Sequence, residues 1–142
     1  MKDKYKKILS YVLVPVILGG IVGALTVPGS DVKSIIPSWV FPVVWTILYV
    51  LMGYSAYLVN EKEGYVPRVY ILQLIFNLLW SFIFFKFKWF TFALIWLIIL
   101  FILVIKMIFD FRKIDKLAGN LQIPYSLWLI VAAVLNIIQI IE

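Results

Sequence analysis

The sequence predicts an all-α integral membrane protein in which five transmembrane helices form a compact bundle. Five uncharged apolar stretches occupy residues 8–27, 42–59, 69–85, 89–105 and 123–141, and about 20 helical residues cross the hydrocarbon core of a bilayer. Hydrophobic residues make up 65% of the chain, and the mean hydropathy of +1.08 is far above that of ordinary globular domains. Helices are expected because every backbone amide in hydrocarbon must bond within its own segment. Residues 1–142 are therefore predicted to form one transmembrane domain.

The first span, 8–27, contains a proline and a small-residue motif. Pro15 is predicted to bend the helix, because proline removes one backbone hydrogen bond. Gly19 and Gly23 form a GxxxG motif, which lets two helices approach closely. The motif fits either a dimer face or packing within the bundle, and packing within the bundle is favoured.

The connections between the spans differ in length and polarity. Residues 28–41 form the longest and least polar loop, which fits either an interfacial aromatic anchor or a lid over the helix ends. Only three residues, 86–88, join the third and fourth spans, which predicts a tight antiparallel hairpin. The fourth span, 89–110 with its charged end, is predicted to continue as a helix past the membrane surface and to stop at Gly119.

The basic residues are distributed unequally between the two sides of the predicted bundle. The net charge of +6 could indicate nucleic-acid binding in a soluble protein, but here the basic residues lie between spans and act as topology signals. With five spans, 10 basic residues fall on the side of the N-terminus and 3 on the other. The N-terminus is therefore predicted to be cytoplasmic, and no nucleic-acid partner is predicted.

Two residue types are absent, and their absence restricts the chemistry. The chain has no cysteine and no histidine, which excludes thiol catalysis and thiolate metal sites and removes the commonest metal ligand and general base. All seven acidic residues lie outside the apolar stretches, whereas ion-coupled transporters place ionisable groups within the membrane. Neither a metal site nor an ion-coupled pump is predicted.

Polar side chains recur at helical spacing inside the spans. In the third span, Gln73, Asn77 and Ser81 follow each other at every fourth residue, so they share one face. Amides facing lipid would lack partners, so this stripe is expected to point into the bundle. For Asn136 and Gln139 in the fifth span, the favoured interpretation is that they only join helix to helix.

The aromatic residues on these faces allow two interpretations. They could serve packing alone, or they could wall a cavity, since large aromatics alternating with glycine and alanine leave space. A few amides among apolar walls are typical of a small-molecule site, and without histidines or carboxylates the preferred guest is flat and largely apolar. The cavity interpretation is favoured for Trp45, Tyr49, Gln73, Asn77, Trp80 and Trp128.

Three blocks of sequence together resemble the TspO/MBR family, the tryptophan-rich sensory proteins whose animal members are called translocator protein or peripheral-type benzodiazepine receptor. The first block is the run from Pro37 to Val59, which includes Trp39, Trp45 and Tyr49. The second combines Gln73-Leu74, Asn77, Trp80-Ser81 and Phe84-Phe85, and the third combines Pro124-Tyr125, Trp128, Ala132 and Leu135-Asn136. Their order along residues 37–136 follows that of the family.

The resemblance implies a five-helix bundle, often dimeric, in the bacterial cytoplasmic membrane, with a pocket beneath the first loop. The ligands implied are porphyrins such as protoporphyrin IX and haem, and no obligatory cofactor. It leaves open a receptor or sensor, with or without light- and oxygen-dependent porphyrin degradation, a carrier for porphyrin or another amphiphile, and a structural partner protein. Motif matching assigns Trp39 and Trp128 to the degradation and Trp45, Tyr49, Asn77, Trp80 and Ala132 to the pocket. Trp39, Trp128 and Gln73 complete the predicted ligand-binding set.

The sequence departs from the family pattern in the first loop and the last span. A tryptophan that the family often places six residues before Trp39 is Lys33 here. The animal sterol-recognition segment needs a tyrosine and an arginine after Asn136, and this chain has neither, so sterol binding is not predicted. The predicted topology places Trp39 at the lid and Trp128 toward the inner half of the bundle, in a deeper part of the cavity.

Overall fold

The fold class is confirmed by a computed structural model, which describes residues 2–28, 36–37 and 39–141. Its helices are α1 (Lys2–Thr26), α2 (Val40–Glu63), α3 (Arg68–Ser81), α4 (Phe90–Ile114), α5 (Lys116–Asn120) and α6 (Ile123–Ile141). Five helical segments are long and apolar enough to span a membrane, with α5 and α6 counted together. Most of the predicted lid and the departure at Lys33 lie outside the described residues.

The helices continue past the predicted apolar stretches, because charged residues remain helical beyond the hydrocarbon. α2 runs to Glu63 and ends at Gly64, whose φ of 78° and N–H bond to the Asn60 carbonyl form a left-handed cap. The prediction that Gly119 stops the fourth helix is wrong: α4 ends at Ile114, and Gly119 lies within α5. A Cβ on Gly119 would lie 2.9 Å from the Ile108 carbonyl oxygen, so this glycine permits close packing of α5 on α4.

The predicted tight hairpin joins α3 to α4. α3 passes directly into a π turn, Phe82–Lys86, a feature that the sequence pattern does not reveal. Lys88 then adopts a φ of 57°, a left-handed conformation that costs energy in any residue but glycine. Phe84 packs edge-on against Phe90 at a centroid distance of 5.3 Å, and this contact joins the π turn to the first turn of α4.

Around the bundle, α1 packs chiefly against α2 and less against α3, while α4 packs against α3 and α6. Side chains of α6 reach α2 and α3 across the centre of the bundle. The buried core includes Met52, Leu97 and Tyr125. Large apolar side chains such as Leu13 and Ile102 are exposed on the outside, which is the distribution that a surrounding bilayer requires.

Candidate ligand-binding site

A chain of hydrogen bonds joins α2, α3 and α6 at the centre of the bundle. The Tyr49 hydroxyl donates to the Asn77 Oδ1 at 2.5 Å, and the Asn77 Nδ2 donates to the Tyr125 hydroxyl at 2.7 Å. Tyr125 in turn donates to the Gln73 Oε1 at 2.9 Å. The Gln73 Nε2 ends the chain by donating to the Tyr70 carbonyl oxygen at 2.9 Å.

These hydrogen bonds all run in the same direction, from Tyr49 toward Tyr70, and every donor group among them has an acceptor. Gln73 and Asn77 are both almost fully buried, so the prediction that the α3 stripe points into the bundle is confirmed. Since Tyr49 uses its only proton toward Asn77, its hydroxyl can act toward a ligand only as an acceptor. The Tyr49 ring is therefore held in one position by α3.

A cavity of about 430 Å³ lies beside Tyr49, between α1, α2 and the end of α3. Its size falls within the range of small-molecule sites, about 300–1,000 Å³. α1 supplies a wall of small residues, whereas α2 and the π turn supply bulky ones. The lining includes Gly19, Gly20, Gly23, Ala24, Phe41, Pro42, Trp45, Thr46, Tyr49, Ser81 and Phe85.

The glycines of α1 have two different roles at this cavity. A Cβ on Gly19 would lie within 3 Å of three atoms of the Tyr49 ring, so this position must be glycine for the ring to keep its place. A Cβ on Gly20 or Gly23 would meet no atom of the described residues within 4 Å, so within this part of the chain these two positions open onto space. The interpretation of the GxxxG motif as internal packing is confirmed at Gly19, which contacts α2.

Three aromatic rings contact Trp45, and a fourth ring contacts one of those three. Its indole stacks on Tyr49 at a centroid distance of 5.7 Å and 26° between the planes, and it meets Tyr125 and Trp128 edge-on at 6.3 Å each. Trp128 also meets Phe41 edge-on at 5.9 Å. The Trp128 Nε1 is buried and has no hydrogen-bond partner among the described residues. Trp45 thus forms the boundary between the cavity and a second layer of aromatics on α6.

The structure brings some of the predicted site residues together and separates others. Trp45 and Tyr49 line the cavity, while Asn77 and Gln73 lie behind Tyr49 in the polar chain. Trp128 lies behind Trp45, and Trp39, at the start of α2, is 67% exposed. A direct ligand contact by any of these residues stays a prediction.

Trp80 and Ala132 are not among the described residues that line this cavity, and a ligand contact by either of them stays a prediction. Trp80 stacks on Phe84 at 4.7 Å and donates from Nε1 to the Asn136 Oδ1 at 3.4 Å. The Asn136 Nδ2 donates to the Phe90 carbonyl oxygen at 2.7 Å, which confirms the interpretation that Asn136 joins helix to helix. Ala132 is buried in the core.

Sequence reasoning missed the contribution of α1 to the cavity, along with Thr46, Ser81 and Phe85 as lining residues. The signal is present in Gly19, Gly20 and Gly23, but their small-residue motif predicts either a dimer face or packing within the bundle, and neither interpretation includes a cavity. Ser81 was noted as part of the α3 stripe, yet its place at the cavity depends on the π turn that follows it.

Ion pairs hold the opposite end of α2, away from the cavity. Lys7 pairs with Glu61 at 2.7 Å, and Lys62 approaches Asp115 at 3.3 Å. Desolvation raises the pKa of Asp115, but hydrogen bonds from backbone N–H groups of α5 and the Lys62 ammonium outweigh it, so the net pKa is lowered. Asp115 therefore stays ionised and caps α5.

Comparison with known proteins identifies a family and several individual proteins to which this chain is similar. A profile of the TspO/MBR family matches residues 11–140. The tryptophan-rich sensory protein of Cereibacter sphaeroides is 38% identical over 102 residues, which cover 70% of this chain and 65% of that protein. Protein CrtK of Rhodobacter capsulatus is 33% identical over 129 residues, 82% of this chain and 81% of CrtK.

Animal relatives are similar over a comparable stretch. The translocator protein of Homo sapiens is 33% identical over 107 residues, which cover 70% of this chain and 63% of that protein. The matched part therefore spans slightly less than two thirds of the C. sphaeroides and human proteins.

Proposed function

Because this chain belongs to the TspO/MBR family, we propose that it is a membrane receptor or sensor that binds porphyrins such as protoporphyrin IX and haem. The observation that carries the proposal is the cavity of about 430 Å³ between the glycines of α1 and the aromatic face of α2. A flat ring would lie with one side on Gly20 and Gly23 and the other on Trp45 and Tyr49. Aromatic walls of this kind offer large apolar contact area with a polar tip.

The polar groups at the cavity would fix the orientation of the guest. Tyr49 offers an acceptor, while the Ser81 hydroxyl, which makes no hydrogen bond to any described residue, can donate or accept. No charged side chain is among the lining residues that the structure describes. Ionised carboxylates of a bound porphyrin would consequently lie at the rim near Pro28 and Phe41, at the end of the bundle that carries the first loop.

A cavity-filling variant tests this proposal. Gly23→Leu places a side chain in the cavity without a clash at Cβ, and overpacking an occupied site costs about 1–3 kcal/mol. We expect protoporphyrin IX to bind about tenfold more weakly, measured by quenching of tryptophan fluorescence in nanodiscs. Val14→Phe, which adds bulk at a 53% exposed position on the same helix, should bind like the wild type. Equal affinities for both variants would contradict the proposal.

Light- and oxygen-dependent porphyrin degradation is a separate part of the proposal. It would assign Trp39 to capture, at the exposed start of α2, and Trp128 to the photochemistry, in the ring cluster around Trp45. Trp39→Phe should then weaken binding, whereas Trp128→Phe should slow the light-dependent loss of porphyrin absorbance more than it weakens binding. If neither variant changes either measurement, these assignments are wrong.

Two further properties need their own measurements. Proteoliposomes loaded with porphyrin on one side distinguish a receptor, which retains its ligand, from a carrier, which releases it on the other. Gly19 is occupied by its contact with the Tyr49 ring of α2, so a homodimer would have to use another part of the surface than this glycine. Light scattering on the purified protein in detergent measures this oligomeric state.

A further inference from the structure

A second cavity, of about 600 Å³, lies at the other end of the α1–α2 pair, between the start of α1 and the end of α2. Its lining combines both signs of charge with two tyrosines and one leucine: Asp3, Lys4, Lys7, Tyr54, Tyr57, Leu58 and Glu61. Tyr57 lies eight residues after Tyr49, about 12 Å further along α2 at the helical rise. The two cavities therefore open at different depths of the bundle, and none of the described residues lines both.

Tyr57 is the buried polar group of this cavity. The residue is only 4% exposed, with its ring stacked on Tyr54 at 6.1 Å and edge-on to Tyr11 at 6.1 Å. Its hydroxyl makes no hydrogen bond to any described residue, although the side chain lines the cavity. The hydroxyl is not among the fully buried side-chain atoms that lack a partner, so it is accessible from the cavity, where it can accept a hydrogen bond from a ligand or donate one to it.

The charges around Tyr57 indicate what kind of ligand this is. Lys7 and Glu61 pair with each other at 2.7 Å, which leaves Lys4 and Asp3 as one cation and one anion without an ion pair among the described residues. A site for an anion alone would carry an excess of cations. This balanced site instead matches a zwitterion that carries a phosphate and an ammonium group.

The cavity also lies where lipid headgroups lie. Beyond Lys7, the exposed side of α1 becomes apolar, with Leu9 and Leu13 at 56% and 44% exposure. Such a change from charged to apolar surface marks the boundary between headgroups and hydrocarbon. Leu58 extends the apolar surface into the cavity lining, so acyl chains can continue from a headgroup bound there.

We propose that this cavity binds the headgroup of phosphatidylethanolamine from the surrounding leaflet. The phosphate lies at Lys4 and Lys7, and the primary ammonium donates hydrogen bonds to Asp3, Glu61 and the Tyr57 hydroxyl. A quaternary choline group has no N–H to donate, so phosphatidylcholine binds less well. Phosphatidylglycerol lacks the ammonium and leaves Asp3 without a cationic partner among the described residues.

Native mass spectrometry of the full chain in detergent tests this proposal, with the three lipids added in turn. Phosphatidylethanolamine adducts should exceed the other two, and Tyr57→Phe, which keeps the ring, should weaken them about fivefold through loss of one hydrogen bond. Tyr65→Phe, at a 57% exposed tyrosine outside the cavity, should leave them unchanged. If Tyr57→Phe does not fold, Lys4→Gln on the exposed surface replaces it.

The proposal is overturned if the three lipids bind equally or if the Tyr57 and Tyr65 variants behave alike. Soluble phosphoethanolamine separates a lipid from a free headgroup as the source. It should fail to displace the lipid at matched concentration, because it lacks the acyl chains that contact Leu58. Displacement at equal concentration would overturn the assignment to a membrane lipid.

Discussion

Gly53 lies at the closest approach between α1 and α2, and replacing it with alanine should separate the two helices. A Cβ at this position would lie 2.2 Å from the Tyr11 carbonyl oxygen and 2.6 Å from the Val12 Cα. Ordinary contact begins near 3.4 Å, so the α1 backbone would have to move by 3.4 − 2.2, or about 1.2 Å. Both obstacles are backbone atoms, so no side-chain rotation can relieve them.

The expected loss of stability follows from two opposing effects. Overpacking costs about 1–3 kcal/mol, and a rigid backbone obstacle favours the upper half of that range. Alanine in place of glycine recovers about 1 kcal/mol of helix propensity. We therefore expect Gly53→Ala to lower the free energy of unfolding by about 1–2 kcal/mol.

Gly20→Ala is the matched control, because a Cβ there lies more than 4 Å from every atom that the structure describes outside its own helix. It keeps the gain in propensity without the clash, so it should be neutral or more stable than wild type. Thermal unfolding of the three proteins in one detergent, followed by far-ultraviolet circular dichroism, should place Gly53→Ala several degrees below Gly20→Ala. If Gly53→Ala melts at the same temperature or higher, the α1–α2 contact is not as close as described.

Four further outcomes are expected. Asn77→Leu removes the acceptor of the Tyr49 hydroxyl and the amide that donates to Tyr125, which keeps its bond to Gln73, so it should cost about 1–3 kcal/mol of stability and weaken porphyrin quenching. Unchanged values in both assays would contradict a structural role for this chain of hydrogen bonds. Lys88→Gly should relieve a φ of 57° and so raise the free energy of unfolding by about 1 kcal/mol, which a higher melting temperature would show. Lys86→Gly in the π turn should give no such increase. Because the pKa of Asp115 is lowered in the folded protein, its ionised carboxylate stabilises the fold above the ordinary carboxylate pKa, and this stability is lost as the pH falls through the lowered value. In Asp115→Asn, the free energy of unfolding should therefore fall less steeply between neutral and acidic pH. With a cytoplasmic N-terminus, an impermeant maleimide on intact cells should label Lys88→Cys and spare Lys4→Cys; the reverse pattern would refute that orientation.

The number of spans and the inward face of α3 were predictable, because each depends on one segment at a time. Uncharged runs of sufficient length identify the helices, and the spacing of Gln73 and Asn77 identifies a face that must avoid lipid. Partners across helices were not predictable in the same way. Asn77 reaches Tyr125, 48 residues away, and this pairing depends on how far each helix is rotated about its own axis, which periodicity alone does not give.

Local backbone features account for the remaining differences. Asp115 ends α4 and begins α5, because its side chain accepts hydrogen bonds from the N–H groups of Leu117 and Ala118. The sequence did not indicate this cap, because Asp115 is one of several charged residues in a row. Within the π turn after Ser81, Phe84 packs against Trp80 of α3 and Phe90 of α4, and the second of these contacts depends on how the two helices are placed. The cavity itself is a space left between helices, so only the relative positions of α1 and α2 could reveal that Gly20 and Gly23 face it.

The central polar chain also has a consequence for biosynthesis. Helices leave the ribosome in sequence order, so α3 brings Gln73 and Asn77 into the membrane before α6 brings Tyr125, the hydroxyl that bonds to both. During that interval the Asn77 Nδ2 and the Gln73 Oε1 lack their native partner, since Tyr49 and Tyr70 satisfy only the other polar atom of each amide. Each unsatisfied group in hydrocarbon costs several kcal/mol. A polypeptide that ends before α6 stays in that state. The final helix therefore completes the fold, and unfinished copies differ from finished ones in the polar groups that they present to lipid and to membrane quality-control proteases.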